Sequence, residues 1–493
     1  MIKKDKKIAK VDKYNQQKVG FFRFGKMGKD AFLVTNDVGE FCILKTAEFN
    51  KLIRGNIIEK DPCYSNLREM GIIRDHINFP NIIAKYQKKN AFLNAGPTLH
   101  IVVMTLRCNF KCVYCHASSK GENEKGYDLS KRNAKKIVDI ILSAPGKRLA
   151  IEFQGGEPML NWNVLKFFIE YTEKRGKILK KTIEFRLVSN FSLMDDKKLV
   201  YLCKHNISLC TSLDGPENVH NANRIWTEGN TYKNVNLWLK KTKKIYKKEN
   251  KFYPGAILTA TRHSLKYPKE IVDEYIAQGF DSIFVRMMSP FGFAKKVWGK
   301  IGYSLDEYWE FSQKVFDHII NYGIKNPKKI FTERNLLMAL LKILEGEDPN
   351  FAECRSPCGG GIGQLLYNYD GKVYTCDEGR MIGEDTFCIG DVRKNSYTEI
   401  VSHPTVKKVC IASTLEGLAC DQCVFKPYCG VCPIYNYEKF GNIFGQLPLN
   451  ERCRYMKKFF GYIFEKIKQE KVRNLFERWI EKEKEKNRRR YQE

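Results

Sequence analysis

The stretch TLHIVVMTLRCNFKCVYC, residues 98–115, decides how the rest of the chain is read. Its first nine residues are an apolar, β-branched run of strand length. The three cysteines that follow, Cys108, Cys112 and Cys115, are separated by three and then two residues. Three explanations compete for them. A structural zinc site wants four protein ligands, and His116 directly follows Cys115, where it is poorly placed to close the same tetrahedron. Core packing by free cysteines would make three in eight residues unusual. A four-iron cluster held by three thiolates leaves one iron open, and an open position is what a catalytic metal needs to bind a reactant.

Downstream, five more strand-like runs follow: LAIEFQ (149–154), TIEFRLVS (182–189), NISLCTSL (206–213), GAILTAT (255–261) and DSIFVRM (281–287). Lysine-rich amphipathic segments such as SKRNAKKIVDIILSA separate them. The alternation predicts an α/β fold, a parallel sheet with crossover helices, open or barrel-like. In such folds reactive groups collect at the carboxyl ends of the strands. Here those ends carry the cysteine loop, Gly155-Gly156-Glu157-Pro158, Ser189-Asn190, Ser212-Leu213-Asp214-Gly215-Pro216 with Arg224 beyond it, Thr261-Arg262, and Arg286.

C-x-x-x-C-x-x-C directly after a first strand resembles the radical S-adenosylmethionine (SAM) enzymes. The resemblance implies a partial (β/α)6 barrel and a [4Fe-4S] cluster whose open iron is chelated by SAM. It further implies that cleavage of SAM yields a 5′-deoxyadenosyl radical, which abstracts hydrogen from the substrate. By the same resemblance, Gly155, Gly156 and Glu157 match the motif that receives the SAM amino group. Tyr114 matches an aromatic position near adenine. Ser189, Asn190 and Ser212 match polar positions that hold the ribose or methionine part, and Arg224 is the candidate partner of the SAM carboxylate. Taken singly, each of these is also an ordinary turn residue or surface polar group.

A second cysteine-rich region spans 354–453. CRSPCGGGIGQLLYNYDGKVYTC supplies Cys354, Cys358 and Cys376; CDQCVFKPYCGVC supplies Cys420, Cys423, Cys429 and Cys432; Cys453 follows. Eight cysteines make two sets of four, enough for two protein-bound clusters, with two zinc sites as the alternative. The spacing resembles the SPASM domain of radical SAM peptide maturases. That implies auxiliary [4Fe-4S] clusters on Cys354, Cys358, Cys376 and Cys432, and on Cys420, Cys423, Cys429 and Cys453. The family has three residues between the positions matching Cys429 and Cys432, and this chain has two, so Cys388 and Cys410 are possible substitutes. Asp377, next to Cys376, matches the proposed base of anaerobic sulfatase-maturating enzymes; its bland alternative is a solvated loop acid. Cys42, Cys63, Cys203 and Cys210 read as buried small hydrophobes.

The flanks add partners. FFRF, AFLVT and EFCIL read as three short strands with a turn at Asn36-Asp37-Val38-Gly39. A helix N-capped by Thr46 follows, then a second helix, SNLREM. This order resembles the leader-peptide recognition fold of peptide maturases, whose sheet edge accepts an extended peptide. Residues 79–97 read as a linker, residues 303–346 as helical, and FFGYIFEKIKQEKVRNLFERWIEKEKEK as an amphipathic helix with Phe460, Phe464 and Ile467 on one face. The expected domains are 1–97, 98–346, 347–455 and a C-terminal helix over 456–493.

The net charge of +29, from 85 basic and 56 acidic residues, suits an acidic partner, a nucleic acid or a lysine-rich solvated surface. The wide spread of the basic residues favours the surface reading. No secretory signal or membrane-length apolar run is visible, so a cytoplasmic protein with its 17 cysteines reduced is expected. Residues 19–455 most resemble the radical SAM maturases of His-Xaa-Ser peptide systems. The resemblance implies a precursor peptide with a leader segment, a reducing partner such as flavodoxin or ferredoxin, and room for a partner maturase. The alternatives are a sulfatase-maturating-type enzyme making formylglycine, an RNA-modifying radical SAM enzyme, and a non-catalytic iron–sulfur carrier or scaffold.

Overall fold

The computed structural model describes residues 17–74, 77–249, 254–348 and 355–492. Strands β1 (Arg23–Met27), β2 (Ala31–Thr35) and β3 (Phe41–Lys45) form an antiparallel sheet in the order β1-β2-β3. Val34, Cys42, Leu44, Phe49, Leu52 and Leu67 make its core with the helices Thr46–Ile53 and Tyr64–Glu69. Thr46 is the first helical residue and Lys45 is the cap: the Lys45 amide donates to the Glu48 carboxylate at 2.8 Å, so an acid in the first turn closes this end. Residues 79–97 are not an extended linker. Phe79–Lys89 is a helix capped by Asn78, with Pro80 in its first turn, and a short turn at Ala91–Asn94 follows.

The central sheet begins with β4 (Leu99–Thr105). Two-residue strands β5 (Arg107–Cys108), β6 (Lys111–Cys112) and β7 (Lys120–Gly121) shape the cysteine loop. Then come β8 (Arg148–Gly155), β9 (Thr182–Val188), β10 (Ser208–Ser212), the short β11 (Arg224–Ile225), β12 (Gly255–Ala260) and β13 (Ser282–Met287). Strands β4, β8, β9, β10, β12 and β13 lie in sequence order, all parallel, with helices between them. That is the expected α/β arrangement of a partial barrel.

Both edges of this sheet are extended. β14 (Thr332–Glu333) pairs with β13, and β15 (Gln364–Tyr367) pairs parallel to β4. The hairpin continues antiparallel through β16 (Lys372–Tyr374) and β17 (Cys388–Asp391). The cysteine-rich region is therefore hydrogen-bonded into the central sheet. Between β13 and that region lie the helices Leu305–Lys325 and Arg334–Leu344. The C-terminal segment forms two helices, Glu451–Ile467 and Glu470–Gln492, and Phe460, Phe464 and Ile467 are buried together as expected from their spacing.

The two faces of the sheet differ. Val102, Ile151, Phe153, Leu187, Leu209 and Leu258 are fully buried under the helices. Their strand neighbours face the concave side: register pairs Glu152 with Arg186, Ala150 with Glu184, and Thr259 with Arg286. Strands of a parallel sheet are ordinarily apolar on both faces, so this charged row marks a lumen rather than a packed interior.

Candidate active site

The cysteine loop is held by the backbone before any cofactor is considered. β5 pairs with β7, and β6 pairs antiparallel with β11, which puts Arg224 directly opposite Cys112. The Val113 amide donates to Asn223 at 3.0 Å, and the Phe293 amide donates to Cys115 at 3.0 Å. Arg107 clamps the far side of the loop through Asp128 (2.8 Å) and the Glu122 carbonyl (2.6 Å).

Gly155 and Gly156 bring the end of β8 onto this loop. A Cβ at Gly155, where φ is +151°, would lie 2.1 Å from the Thr105 carbonyl oxygen; one at Gly156 would lie 2.2 Å from that of Arg107. The amides that follow use the closeness: Gly156 donates to Thr105 and Glu157 to Arg107, both at 2.8 Å. These glycines serve a close approach of backbone to backbone.

Glu157 has no exposed surface. Its carboxylate accepts from the Met159 amide (3.0 Å), the Ser189 hydroxyl (2.9 Å) and the Asn190 amide (2.8 Å). Burial raises it to about 7, against those three donors. Asn190 in turn donates to Asn109 in the cysteine loop at 3.1 Å, and Ser192 joins both residues. Asn109 and Ser192 carry no sequence signal beyond lying next to a cysteine and an asparagine.

Tyr114 is buried, and its hydroxyl donates to Asp214 at 2.8 Å. Arg224 bonds both partners: its Nε reaches Asp214 at 3.0 Å, and a second nitrogen donates to the Tyr114 hydroxyl. The guanidinium is thus held in place through two of its nitrogens, by Asp214 and Tyr114. Asp214, to which the motif resemblance gives no role, is the hub of this side. Burial raises its carboxyl, opposed by Arg224 and Tyr114. Ser212 ends β10 half-buried on the concave side.

Each thiol of the triad has a polar contact from the chain. The Phe110 amide donates to Cys108 Sγ at 3.4 Å, Arg224 lies 3.9 Å from Cys112 Sγ, and Ser119 Oγ lies 3.3 Å from Cys115 Sγ. All three are half-buried free thiols. Burial pushes Cys112 up to about 12, so it keeps its proton until a cation replaces it. His116 bonds to the Ser289 backbone, and burial lowers it to about 3. This donor set suits an iron–sulfur cluster, whose sulfurs are tuned by such hydrogen bonds.

The second region sorts its cysteines by contact. Cys358 and Cys376 each feel Cys432. All three accept an amide N–H, from Gly360 (3.5 Å), Gly379 (3.3 Å) and Tyr435 (3.4 Å) respectively. Cys354 lies outside the described residues. Cys429 feels Cys420, Cys423 and Cys453, and Cys420 is raised to about 11 by burial and then by Cys453 and Cys423. The shortened spacing thus still brings Cys432 to the first set. Cys388 instead lies beside Asp385 and Lys372, and Cys410 beside Arg355. Cys42, Cys63 and Cys203 are buried, whereas Cys210 is half-buried on the concave face near Glu152 and Arg186.

Between the triad and the first set runs the charged row. Gln154 donates to Glu152 at 2.5 Å, and Arg186 pairs with Glu184 at 3.0 Å. Arg286 reaches Glu378 at 3.4 Å and Asp377 at 3.9 Å. Arg380 donates to the Ala117 carbonyl, just past Cys115, at 3.3 Å. Asp377 is thus a lumen residue on the helix Asp377–Met381, mostly buried, rather than a solvated loop acid. Glu152, Glu184 and Arg186 escaped the sequence reading; their signal was charge at alternate positions of predicted parallel strands.

Comparison with known proteins agrees with this architecture. The radical SAM superfamily profile matches residues 102–248, and the SPASM profile, an iron–sulfur cluster-binding domain, matches 358–433. The radical SAM cyclopropyl synthase TigE of Paramaledivibacter caminithermalis is 23% identical over 84% of this chain and 83% of its own length. A cysteine-type anaerobic sulfatase-maturating enzyme of Clostridium perfringens is 26% identical over 73% of this chain and 94% of its own. Among solved structures, anSMEcpe with bound AdoMet covers 77% of this chain and 99% of its own at a TM-score of 0.63 and 20% identity. Streptococcus suis SuiB bound to S-adenosylmethionine covers 88% of this chain and 98% of its own at 0.52 and 16%. The chain carries a radical SAM domain, which binds a [4Fe-4S] cluster and SAM, and a C-terminal SPASM domain, which binds auxiliary iron–sulfur clusters.

Proposed function

We propose that this chain, a radical SAM enzyme with a SPASM domain, modifies a ribosomally made peptide after translation. The observation that carries the reading is the N-terminal unit. It presents a three-stranded sheet with edges at β1 and β3 and an open groove of about 440 Å³ lined by Leu52, Ile57, Ile58 and Tyr64 among others. A strand edge suits capture of an extended leader segment, and the groove, lined by Lys18, Asn56 and Glu59 as well as apolar side chains, offers a second contact surface on the same unit. TigE and SuiB, which align with 84% and 88% of this chain, support the reading more than the sulfatase-maturating enzyme, which aligns with 73%. SuiB also has a solved structure bound to its precursor peptide SuiA. Within this reading the substrate belongs to a His-Xaa-Ser peptide system.

In this reading Cys108, Cys112 and Cys115 hold the SAM-binding cluster. Cys354, Cys358, Cys376 and Cys432 hold one auxiliary [4Fe-4S] cluster, and Cys420, Cys423, Cys429 and Cys453 the other. When bound, the cluster and SAM supply one-electron cleavage and hydrogen abstraction, with the electron coming from a carrier such as flavodoxin or ferredoxin. The chain's own residues do the rest. Gly155, Gly156, Glu157, Ser189 and Asn190 fix the loop that presents the triad. Tyr114, Asp214 and Arg224 fix its other side, and Ser212 faces the lumen. Glu152, Arg186 and Arg286 line the space where the peptide residue is oriented, and Asp377 takes a proton from it at its carboxylate.

The test is anaerobic co-expression with the short peptides encoded beside the gene, followed by mass spectrometry. Loss of two hydrogens from one peptide, with fragmentation locating the new bond, supports the reading. An aldehyde-reactive product on a folded protein would instead support the sulfatase-maturating alternative. No 5′-deoxyadenosine under reducing, oxygen-free conditions would point to a carrier or scaffold.

A further inference from the structure

The segment Cys420–Cys429, CDQCVFKPYC, is a chain of tight turns. Internally, Cys423 donates to the Cys420 carbonyl, Lys426 to Cys423, Tyr428 to Phe425 and Cys429 to Lys426. Three other carbonyls of the segment are taken by side chains of the N-terminal part of the chain. Arg23 donates to Asp421 O at 2.5 Å, Thr35 to Val424 O at 2.9 Å and Lys89 to Pro427 O at 2.7 Å. Arg23 also pairs with the Asp421 carboxylate at 3.2 Å. In return, the Tyr428 hydroxyl donates to Gly39 O at 2.9 Å.

The packing is as close as the bonding. Thr35 and Tyr428 have no exposed surface, and Arg23 has 3%. β1 lies against Val424, where a Cβ at Gly25 would come within 2.9 Å of Val424 Cγ1. On the other side, Phe425 and Tyr428 pack on Phe460 and Phe464, from the helix Glu451–Ile467 that carries Cys453. Phe41 of β3 meets Phe464 edge-on at 5.1 Å. The ligand segment is therefore clamped between the N-terminal sheet and the helix of its fourth cysteine.

We infer that the N-terminal unit is part of the second auxiliary cluster site, with Arg23 and Thr35 as positioning residues that hold the Asp421–Val424 turn between Cys420 and Cys429. The inference rests on the reading that Cys420, Cys423, Cys429 and Cys453 hold a cluster. A carbonyl shielded from water that loses its donor destabilises the ordered loop, and this loop has three carbonyls whose donors come from outside it. A peptide seated on the N-terminal sheet would then touch the same rigid body that shapes the cluster's ligands, which joins recognition and electron transfer in one contact.

The experiment uses the full-length chain, anaerobically reconstituted, with iron and acid-labile sulfide counted and the reduced protein examined by EPR. The variants are Arg23→Met with Thr35→Val, Thr35→Val alone, Thr35→Ser, and Cys420→Ser as a reference. Three loaded clusters correspond to about twelve irons per chain, and loss of one leaves about eight. The expected result is a loss of about a third of the iron, and of one EPR component, in the double variant and in Cys420→Ser, with Thr35→Ser retaining both. Full iron and an unchanged spectrum in the double variant, alongside loss in Cys420→Ser, overturns the inference and leaves the cluster reading intact. Unchanged iron in Cys420→Ser overturns both. If the double variant does not fold, Thr35→Val against Thr35→Ser decides by the same two readouts.

Discussion

Asp214 and Arg224 meet at 3.0 Å, and the Asp214 side chain is wholly removed from solvent. Arg224 sits opposite Cys112 in the β6–β11 pair, so this buried ion pair carries one wall of the cysteine loop. Removing one partner leaves the other charge buried and uncompensated, at about 3–5 kcal/mol. Asp214→Asn is expected to lower the unfolding free energy by that order and to weaken SAM binding, measured by equilibrium denaturant unfolding and calorimetry. Asp214→Asn with wild-type stability would remove the pair from any supporting role.

Gly156→Ala tests the other wall. The new methyl would lie 2.2 Å from the Arg107 carbonyl oxygen and 2.6 Å from that of Leu106, both backbone atoms with little freedom to retreat. Overpacking of this kind costs about 1–3 kcal/mol. The displaced loop is expected to lose the triad's iron while the auxiliary iron stays, which iron counting against a Cys108→Ala control would show.

Glu157 and Glu333 give a pH signature. Glu333 is buried beneath the helix Arg334–Leu344, accepting from the Leu336 amide at 2.8 Å, and like Glu157 it is raised by burial from 4.5 to about 7. A carboxyl raised in the fold contributes stability that is full below about 4.5 and lost as pH rises through about 7. The shift corresponds to roughly 3 kcal/mol for each group. Glu157→Gln and Glu333→Gln are each expected to flatten part of the fall in unfolding free energy between those pH values, measured against wild type. Parallel curves would show that the carboxylates are stabilised as charges.

Cys432 and the two nearby spare cysteines are separable by substitution. Cys432→Ala is expected to lose about a third of the bound iron, and Cys388→Ala and Cys410→Ala none, because only Cys432 among them faces Cys358 and Cys376. Iron loss in Cys410→Ala with full iron in Cys432→Ala would reverse the assignment.

Asp377→Asn is expected to stop product formation while SAM cleavage continues, since Asp377 lies at the auxiliary end of the lumen, 3.9 Å from Arg286 and next to Cys376. Peptide product and 5′-deoxyadenosine, quantified in the same reaction, check it. Full product would assign Asp377 to pairing with Arg286 alone.

The six barrel strands were legible because each is a short apolar run bounded by polar turns, and the cysteine spacings carried their own chemistry. Other features were hidden for physical reasons. The helix Phe79–Lys89 carries an apolar stripe, Phe79, Ile82, Ile83 and Tyr86, but the stripe is short and the helix buries no residue, so the segment reads as a linker. Asn78 and Pro80 marked its start, but cap signals beside a lysine-rich surface segment look like a turn. β15 was masked by the cysteines and glycines before it, and its partner β4 lies 265 positions earlier, counting Gln364 against Leu99. The internal partners of Glu157 and Arg224 were hidden because a motif shows which residues stand at a strand end and not which of them face one another. Here both are taken up by Ser189, Asn190, Asp214 and Tyr114.

The pairing of β15 with β4 also governs how this chain can be cut and recombined. A chimera that joined the barrel to a foreign cysteine-rich region at residue 347 would strip β4 of its neighbour and leave a bare row of amides and carbonyls beside the triad's own strand. Any graft of the auxiliary region must therefore bring its own strand in register with Leu99–Val102, or splice beyond Asp391 where the hairpin ends. The boundary at which the chain can be exchanged lies inside the cysteine-rich region, after its first four cysteines and before its last six.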